Sequence, residues 1–121
     1  MSNFKSQINI FGIKSCDKVR SALKWLNQNM IEYNFIDLKS SKIKSSTLNF
    51  WLKNMGWVQL INKSSKTWRS LDDKTRENVI NNETAKQIII NNPLILNRPI
   101  IEIEEKIIIG FSEKNCATWF K

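Results

Sequence analysis

The segment Ile8–Arg20 constrains this chain more than any other, because two periodicities meet within it. Ile8, Ile10 and Phe11 suit a short buried strand. Gly12 then permits a sharp turn. From Val19 the apolar spacing changes: Val19, Ala22, Leu23, Leu26 and Met30 follow the i, i+3, i+4, i+7 pattern of an amphipathic helix. Cys16 therefore falls at or just before a helix N-terminus, where unpaired backbone N–H groups and the macrodipole favour an anion. A thiolate is such an anion, and helix N-termini beside cations are where thiols ionise most readily. Lys14, Lys18 and Arg20 are close by, and Arg20, one turn beyond Cys16, can share its face. The alternative for Cys16 is a small buried hydrophobe, the commoner fate of a single cysteine.

Taken in order, the chain continues as a βαβ unit. The first helix spans about Asp17 to Asn29, with Asp17 read as a capping residue and Trp25 beside the apolar stripe. Residues Glu32 to Asp37 alternate polar and apolar, which predicts a second strand, parallel to the first through a right-handed crossover. A Ser/Lys-rich loop, Lys39 to Ser45, leads to a helix carrying Leu48, Trp51, Leu52 and Met55, capped by Ser46 or Thr47 and stopped by Gly56. Val58, Leu60 and Ile61 begin a short helical piece, and a polar loop runs from Asn62 to Lys66. Thr67 to Asp72 and a polar helical turn near Lys74 to Val79 follow. Thr84 is placed to cap a helix with Ala85, Ile88 and Ile89 on one face, ending before Pro93. Ile100 to Ile103 and Ile107 to Ile109 flank the charged turn Glu104-Glu105-Lys106, the pattern of a hairpin. Ser112 can cap a last helix containing Glu113, Cys116, Trp119 and Phe120, with Cys116 packed rather than reactive.

The order β-α-β, helices, β-β-α predicts an α/β, thioredoxin-like fold with a mixed central sheet. It makes residues 1–121 a single domain with a helical insertion at about 46–92. At 121 residues the chain can bury a real core. No apolar run is long enough to span a bilayer, and the N-terminus lacks signal-peptide organisation, so the expectation is a cytoplasmic protein without a membrane partner. Cys16 and Cys116 are too distant in sequence to suggest a disulfide framework. The net charge of +8 is spread over scattered lysines without a block of five like charges, which reads as a solvated surface rather than a nucleic-acid footprint. The absence of histidine excludes a Cys/His or Ser/His/Asp hydrolase and any His-ligated metal, and two distant cysteines do not make a zinc site. No metal and no bound cofactor are expected.

Four motifs resemble one family. Gly12-Ile13-Lys14-Ser15-Cys16-Asp17, Thr67-Trp68-Arg69, Leu96-Asn97-Arg98-Pro99-Ile100 and Gly110-Phe111-Ser112-Glu113 occur in the order and spacing of the arsenate reductase (ArsC) family, most closely its YffB-type branch. The resemblance implies that Cys16 is the nucleophile and that Arg98 and a cis Pro99 adjoin it. Arg98 offers a rigid fork of donors to an oxyanion or a carboxylate. In arsenate reductases proper further arginines bind the oxyanion, where this chain has Gly110-Phe111 and, in the inserted helices, Lys63 or Ser64.

The YffB-type branch implies glutathione-linked thiol chemistry: Cys16 attacks a mixed disulfide or a small anionic substrate, and glutathione as co-substrate, or a glutaredoxin, resolves the adduct. Lys14, Arg20 and Arg98 would support the thiolate or hold the ligand. Trp68 and Arg69 could line the opposite wall, with Trp68 equally readable as core. The alternative function is that of the Spx-type relatives, regulatory modules that dock on an acidic partner such as RNA polymerase. Those relatives commonly carry Cys-x-x-Cys, whose second position is Val19 here.

Overall fold

The computed structural model describes residues 7–114 and Thr118. The chain divides into two compact units, one formed by Met1–Asp37 with Arg98–Lys121 and the other by Leu38–Asn97.

The first unit is built on a four-stranded sheet. Strand β1 (Ile8–Gly12) leads into helix α1 (Asp17–Gln28), which returns the chain to β2 (Asn34–Asp37). Later the chain supplies the hairpin β3 (Ile100–Ile103) and β4 (Lys106–Ile109). The order is β2-β1-β3-β4, with β1 parallel to β2 and antiparallel to β3, so the sheet is mixed. Alternation decides the packing. Ile8 and Ile10 on β1 and Ile101 and Ile103 on β3 share one face, where they form a buried cluster with Leu26 of α1. Each such side chain contributes about 1.5–3 kcal/mol on burial. The register puts Asn34, Asn9 and Glu102 in one row across three strands. Asn34 Nδ2 donates to Asn9 Oδ1 at 3.1 Å, and Asn9 Nδ2 to Glu102 Oε1 at 3.0 Å.

Two expectations for this unit change. Met30 is not part of the helical stripe: it lies past the C-cap Asn29, with φ 55°, and is 90% exposed. Its N–H donates to Asn27 O (3.1 Å) and the Ile31 N–H to Leu26 O (3.0 Å), a Schellman ending in which methionine occupies the left-handed position that usually holds glycine. The cap of α1 is Cys16, not Asp17, which is the first helical residue.

The second unit is helical: α2 (Ser45–Met55), α3 (Trp57–Leu60), α4 (Lys66–Ser70), α5 (Asp73–Glu77) and α6 (Asn82–Asn91), followed by a 3-10 turn at Pro93–Ile95. Trp51, Leu60, Ile89 and Leu96 are fully buried in it. An antiparallel bridge joins Ile61, just after α3, to Leu96 near the end of the unit, with Asn62 N–H donating to Ile95 O at 2.7 Å and Asn97 N–H to Leu60 O at 2.8 Å.

Here too the caps differ from expectation. Helix α2 begins at Ser45 with Lys44 at the cap position, so neither Ser46 nor Thr47 caps it. Helix α6 is capped by Asn81, and Thr84 is its third residue, closing a reciprocal capping box with Asn81. In each case several capping residues fall within one turn, and the entry direction of the chain selects among them. Gly56 does end α2, at φ 79°. Most of the last helix expected after Ser112, including Cys116, Trp119 and Phe120, lies outside the described residues. No helix among the described residues is long and apolar enough to cross a membrane.

Candidate active site

Gly12 ends β1 for a reason other than a turn. A Cβ there would lie 2.6 Å from Val19 Cγ2, so the helix approaches the strand as closely as it does because position 12 has no side chain. That contact fixes where α1 starts. The chain from Ile13 to Cys16 closes on itself, the Cys16 N–H donating to Ile13 O at 3.1 Å. Cys16 has the extended conformation of an N-cap (φ −84°, ψ 125°), and its carbonyl accepts the first helical bond from Arg20 N–H at 3.0 Å. Its side chain makes no capping hydrogen bond and is half-buried.

The strand register brings three more segments to the same end of the sheet. Gly12 pairs with Asp37 of β2. Phe11 pairs with Ile100 of β3, so the residues just before Ile100 lie beside the turn that carries Cys16. Those residues are Arg98 and Pro99, joined by a cis peptide bond, with Pro99 fully buried and Arg98 half-buried. Ile100 also pairs with Ile109, and the Gly110 N–H donates to Pro99 O at 2.8 Å. Gly110 has φ 87°, in the left-handed region that favours glycine, and ends the strand there. Gly110 is thus at the level of Pro99, as the resemblance implied by setting Gly110-Phe111 where the family carries a further arginine. The hairpin register agrees, since strands of equal length about Glu104-Glu105 return Gly110 to the level of Pro99.

The cations expected around Cys16 part company. Arg20 donates to the carboxylate of Asp17, one turn away on α1. The Lys14 ammonium stands 5.9 Å from the centroid of the Phe35 ring. Val19, in the second position of a Cys-x-x-Cys spacing, is fully buried.

Trp68 and Arg69 belong to the second unit, on α4. Trp68 is buried, its N–H donating to Ser65 Oγ at 3.1 Å. Arg69 is exposed, and its carbonyl accepts from Arg76 Nη1 at 3.0 Å. The Lys63 ammonium lies 5.4 Å from the Trp57 ring centroid and 5.9 Å from that of Trp68.

A mixed sheet of order β2-β1-β3-β4, with a cysteine starting α1 and a cis proline opening β3, defines a protein of thioredoxin-like fold. The profile of the ArsC family matches residues 11–119, and the chain belongs to that family. It is 39% identical over 113 residues to an uncharacterized protein of Haemophilus influenzae, covering 93% of this chain and 98% of the relative. It is 30% identical over 107 residues to the global transcriptional regulator Spx 2 of Bacillus anthracis, covering 87% of this chain and 80% of that one. Among solved structures it is similar to a YFFB protein, with 27% identity and a TM-score of 0.86 over 93% of this chain and 97% of the other. The solution structure of an arsenate reductase (ArsC) related protein from Brucella melitensis is 31% identical, with a TM-score of 0.73 over 99% of each chain.

Proposed function

We propose that this ArsC-family protein is a cytoplasmic thiol-dependent oxidoreductase in which Cys16 is the nucleophile and glutathione or a glutaredoxin is the reductant. One observation carries the reading: Cys16 stands at the N-terminus of α1 without a capping hydrogen bond, at the sheet end where Arg98 and the cis Pro99 enter β3. The N–H groups of the first turn favour negative charge there. The Cys16 thiolate attacks one sulfur of an external disulfide. A new S–S bond forms to Cys16, the old one breaks, and the other sulfur leaves as a thiolate. With Val19 in place of a neighbouring thiol, an external thiolate then attacks the mixed disulfide, takes up one sulfur in a new disulfide and returns Cys16 to the thiolate. Arg98 offers a planar fork to a carboxylate of the ligand, and Lys14 adds a second cation on the approach. Pro99 shapes the edge along which an extended, peptide-like ligand lies.

The test is turnover of a low-molecular-weight disulfide with reduced glutathione, followed by mass spectrometry of the trapped intermediate. The wild-type protein should carry a glutathione adduct on Cys16, and Cys16→Ser should lose turnover entirely. Retained turnover in Cys16→Ser would sink this reading.

A second reading is supported by the similarity to the Spx regulators. The protein would then be a binding module for an acidic partner such as RNA polymerase, its basic surface supplying the complement. Salt-sensitive binding of purified polymerase, equal for the wild type and Cys16→Ser, would favour it over the enzyme.

A further inference from the structure

The end of the sheet unit away from Cys16 differs from the rest of the chain in charge, in edge protection and in shape. Residues 25–38 contain no lysine or arginine, the longest such stretch in a chain that has 19 of them. They form the last turn of α1, the connection after it and the whole of β2. Strand β2 is an outer strand, paired with β1 on one side only. Outer strands are commonly guarded by lysine against pairing with a further strand, and β4, the other outer strand, begins with Lys106. In β2 the one charged residue is Asp37, at the end nearest Cys16. A groove of about 900 Å³ opens beside the other end of β2, between Asn27 and Met30 on one side and Tyr33 and Phe35 on the other, with Ile8 and Ile31 in its wall. Glu32 is the one charged residue that lines it. Met30 is 90% exposed, the most exposed large apolar side chain among the described residues, and is held at φ 55°, where glycine would cost the backbone less.

We propose that this side is an interface between two copies of the chain, with the β2 strands edge to edge and Met30 of each copy filling the groove of its partner. A knob and a groove on one patch are self-complementary, and a two-fold axis satisfies both at once. The unbranched thioether adapts to such a site, and the Asn27 carboxamide, which both donates and accepts, can face its own kind. Charge selects a second copy over an acidic protein. Two chains of net charge +8 repel across most of their surface and meet at least cost where neither presents a cation. An acidic partner would find no lysine or arginine lining the groove.

Sedimentation equilibrium of the full chain, with a thiol reductant present so that no disulfide joins the copies, tests this from about 10 µM to about 1 mM. The wild type should dimerise, and more tightly at about 0.5 M than at about 0.05 M salt, because screening relieves the repulsion between like-charged chains. Met30→Lys should raise the dimer dissociation constant about tenfold or more by setting a cation on each side of the contact. Met30→Gly should also raise it while keeping a urea midpoint close to the wild type's, since glycine suits φ 55°, and so separates contact from folding. Amide hydrogen exchange in β2 of the wild type should slow as concentration rises. A chain that stays monomeric at the highest concentration and both salts overturns the proposal. So does a dimer whose dissociation constant is the same in Met30→Lys, or one that weakens as salt rises. A dimer lost in Met30→Lys whose formation leaves β2 exchange unchanged overturns the edge-to-edge pairing.

Discussion

Helix α1 of the sheet unit and three helices of the helical unit start in opposite ways. In the helical unit α4, α5 and α6 each have a side-chain oxygen on the first turn: Ser65 accepts from Trp68 N–H, Asp72 from Thr75 N–H and Asn81 from Thr84 N–H. Two of these helices are only five residues long, too short to persist on backbone bonds alone, so their caps carry a large share of what defines them. Helix α1 is twelve residues long, its Val19, Ala22 and Leu26 are buried, and its cap position holds a cysteine that makes no such bond. A helix anchored along its length can leave its first turn open. The short helices α4 and α5 close their first turn with a side chain, whereas α1, like the eleven-residue α2, is held by its buried face and leaves its first turn without one.

The first way to break the comparison is at Gly12, where the start of α1 is set. Gly12→Ala brings a methyl to 2.6 Å from Val19 Cγ2, and the β-branched valine has little freedom to withdraw. Overpacking of this kind costs about 1–3 kcal/mol in denaturant unfolding. It should also slow Cys16 alkylation, because the helix must shift outward. Adding Val19→Ala should recover part of both losses. If Gly12→Ala alone unfolds and alkylates like the wild type, the close approach does not fix the start of α1.

Next come the caps themselves, where the two units should respond with opposite sign. Asn81→Ala removes the side-chain acceptor and half of a capping box and should destabilise by about 1 kcal/mol. Cys16→Ser installs a good capping residue in a backbone conformation already suited to it and should stabilise by about 0.5 kcal/mol while abolishing turnover. Matched urea melts of the two variants read this directly. A Cys16→Ser protein less stable than the wild type would mean that the first turn of α1 is not open to a capping oxygen, and the contrast would fail.

The same contrast explains what could be read from residues alone. Helix α1 was legible because its burial is one-sided and the 3.6-residue period leaves a clear trace, whereas β1 and β3, buried on both faces at Ile10-Phe11 and Ile100-Ile101, were legible as short apolar runs. The place of Cys16 at the start of α1 was legible because it sits where the period changes, and the cis Arg98-Pro99 bond because of the family motif around it. The caps of the helical unit were blurred, since runs such as Ser45-Ser46-Thr47 and Asn81-Asn82-Glu83-Thr84 offer several acceptors per turn. Gly12 looked like a turn residue because a glycine that relieves a clash with a helix one turn later has no local signature. Arg20 was read toward Cys16 when its partner, Asp17, stood three residues away at a spacing that favours such a pair. Trp68, flagged for a site wall, is part of the buried interior of the helical unit.

The smallest expected effect concerns acid. Hydrogen bonds from Thr75 hold the carboxyl of the exposed Asp72 below its ordinary value of 3.8, with slight desolvation opposing them and the Arg76 guanidinium adding a little. A carboxyl with a depressed folded-state pKa binds protons more readily when unfolded. Its contribution to stability is therefore complete above the unfolded value and is lost as pH falls through the folded one. The cap of α5 should weaken below about pH 4. Asp72→Asn keeps an acceptor for the Thr75 N–H but cannot titrate, so its stability should fall less steeply than the wild type's between pH 5 and pH 2. A parallel pair of acid titrations, followed by far-UV circular dichroism, reads the difference. Identical slopes would mean that Asp72 acts only as a neutral acceptor, no different in kind from Ser65 and Asn81. A shallower slope in Asp72→Asn would show that one of the three caps works by charge, the property that α1 leaves exposed beside Cys16.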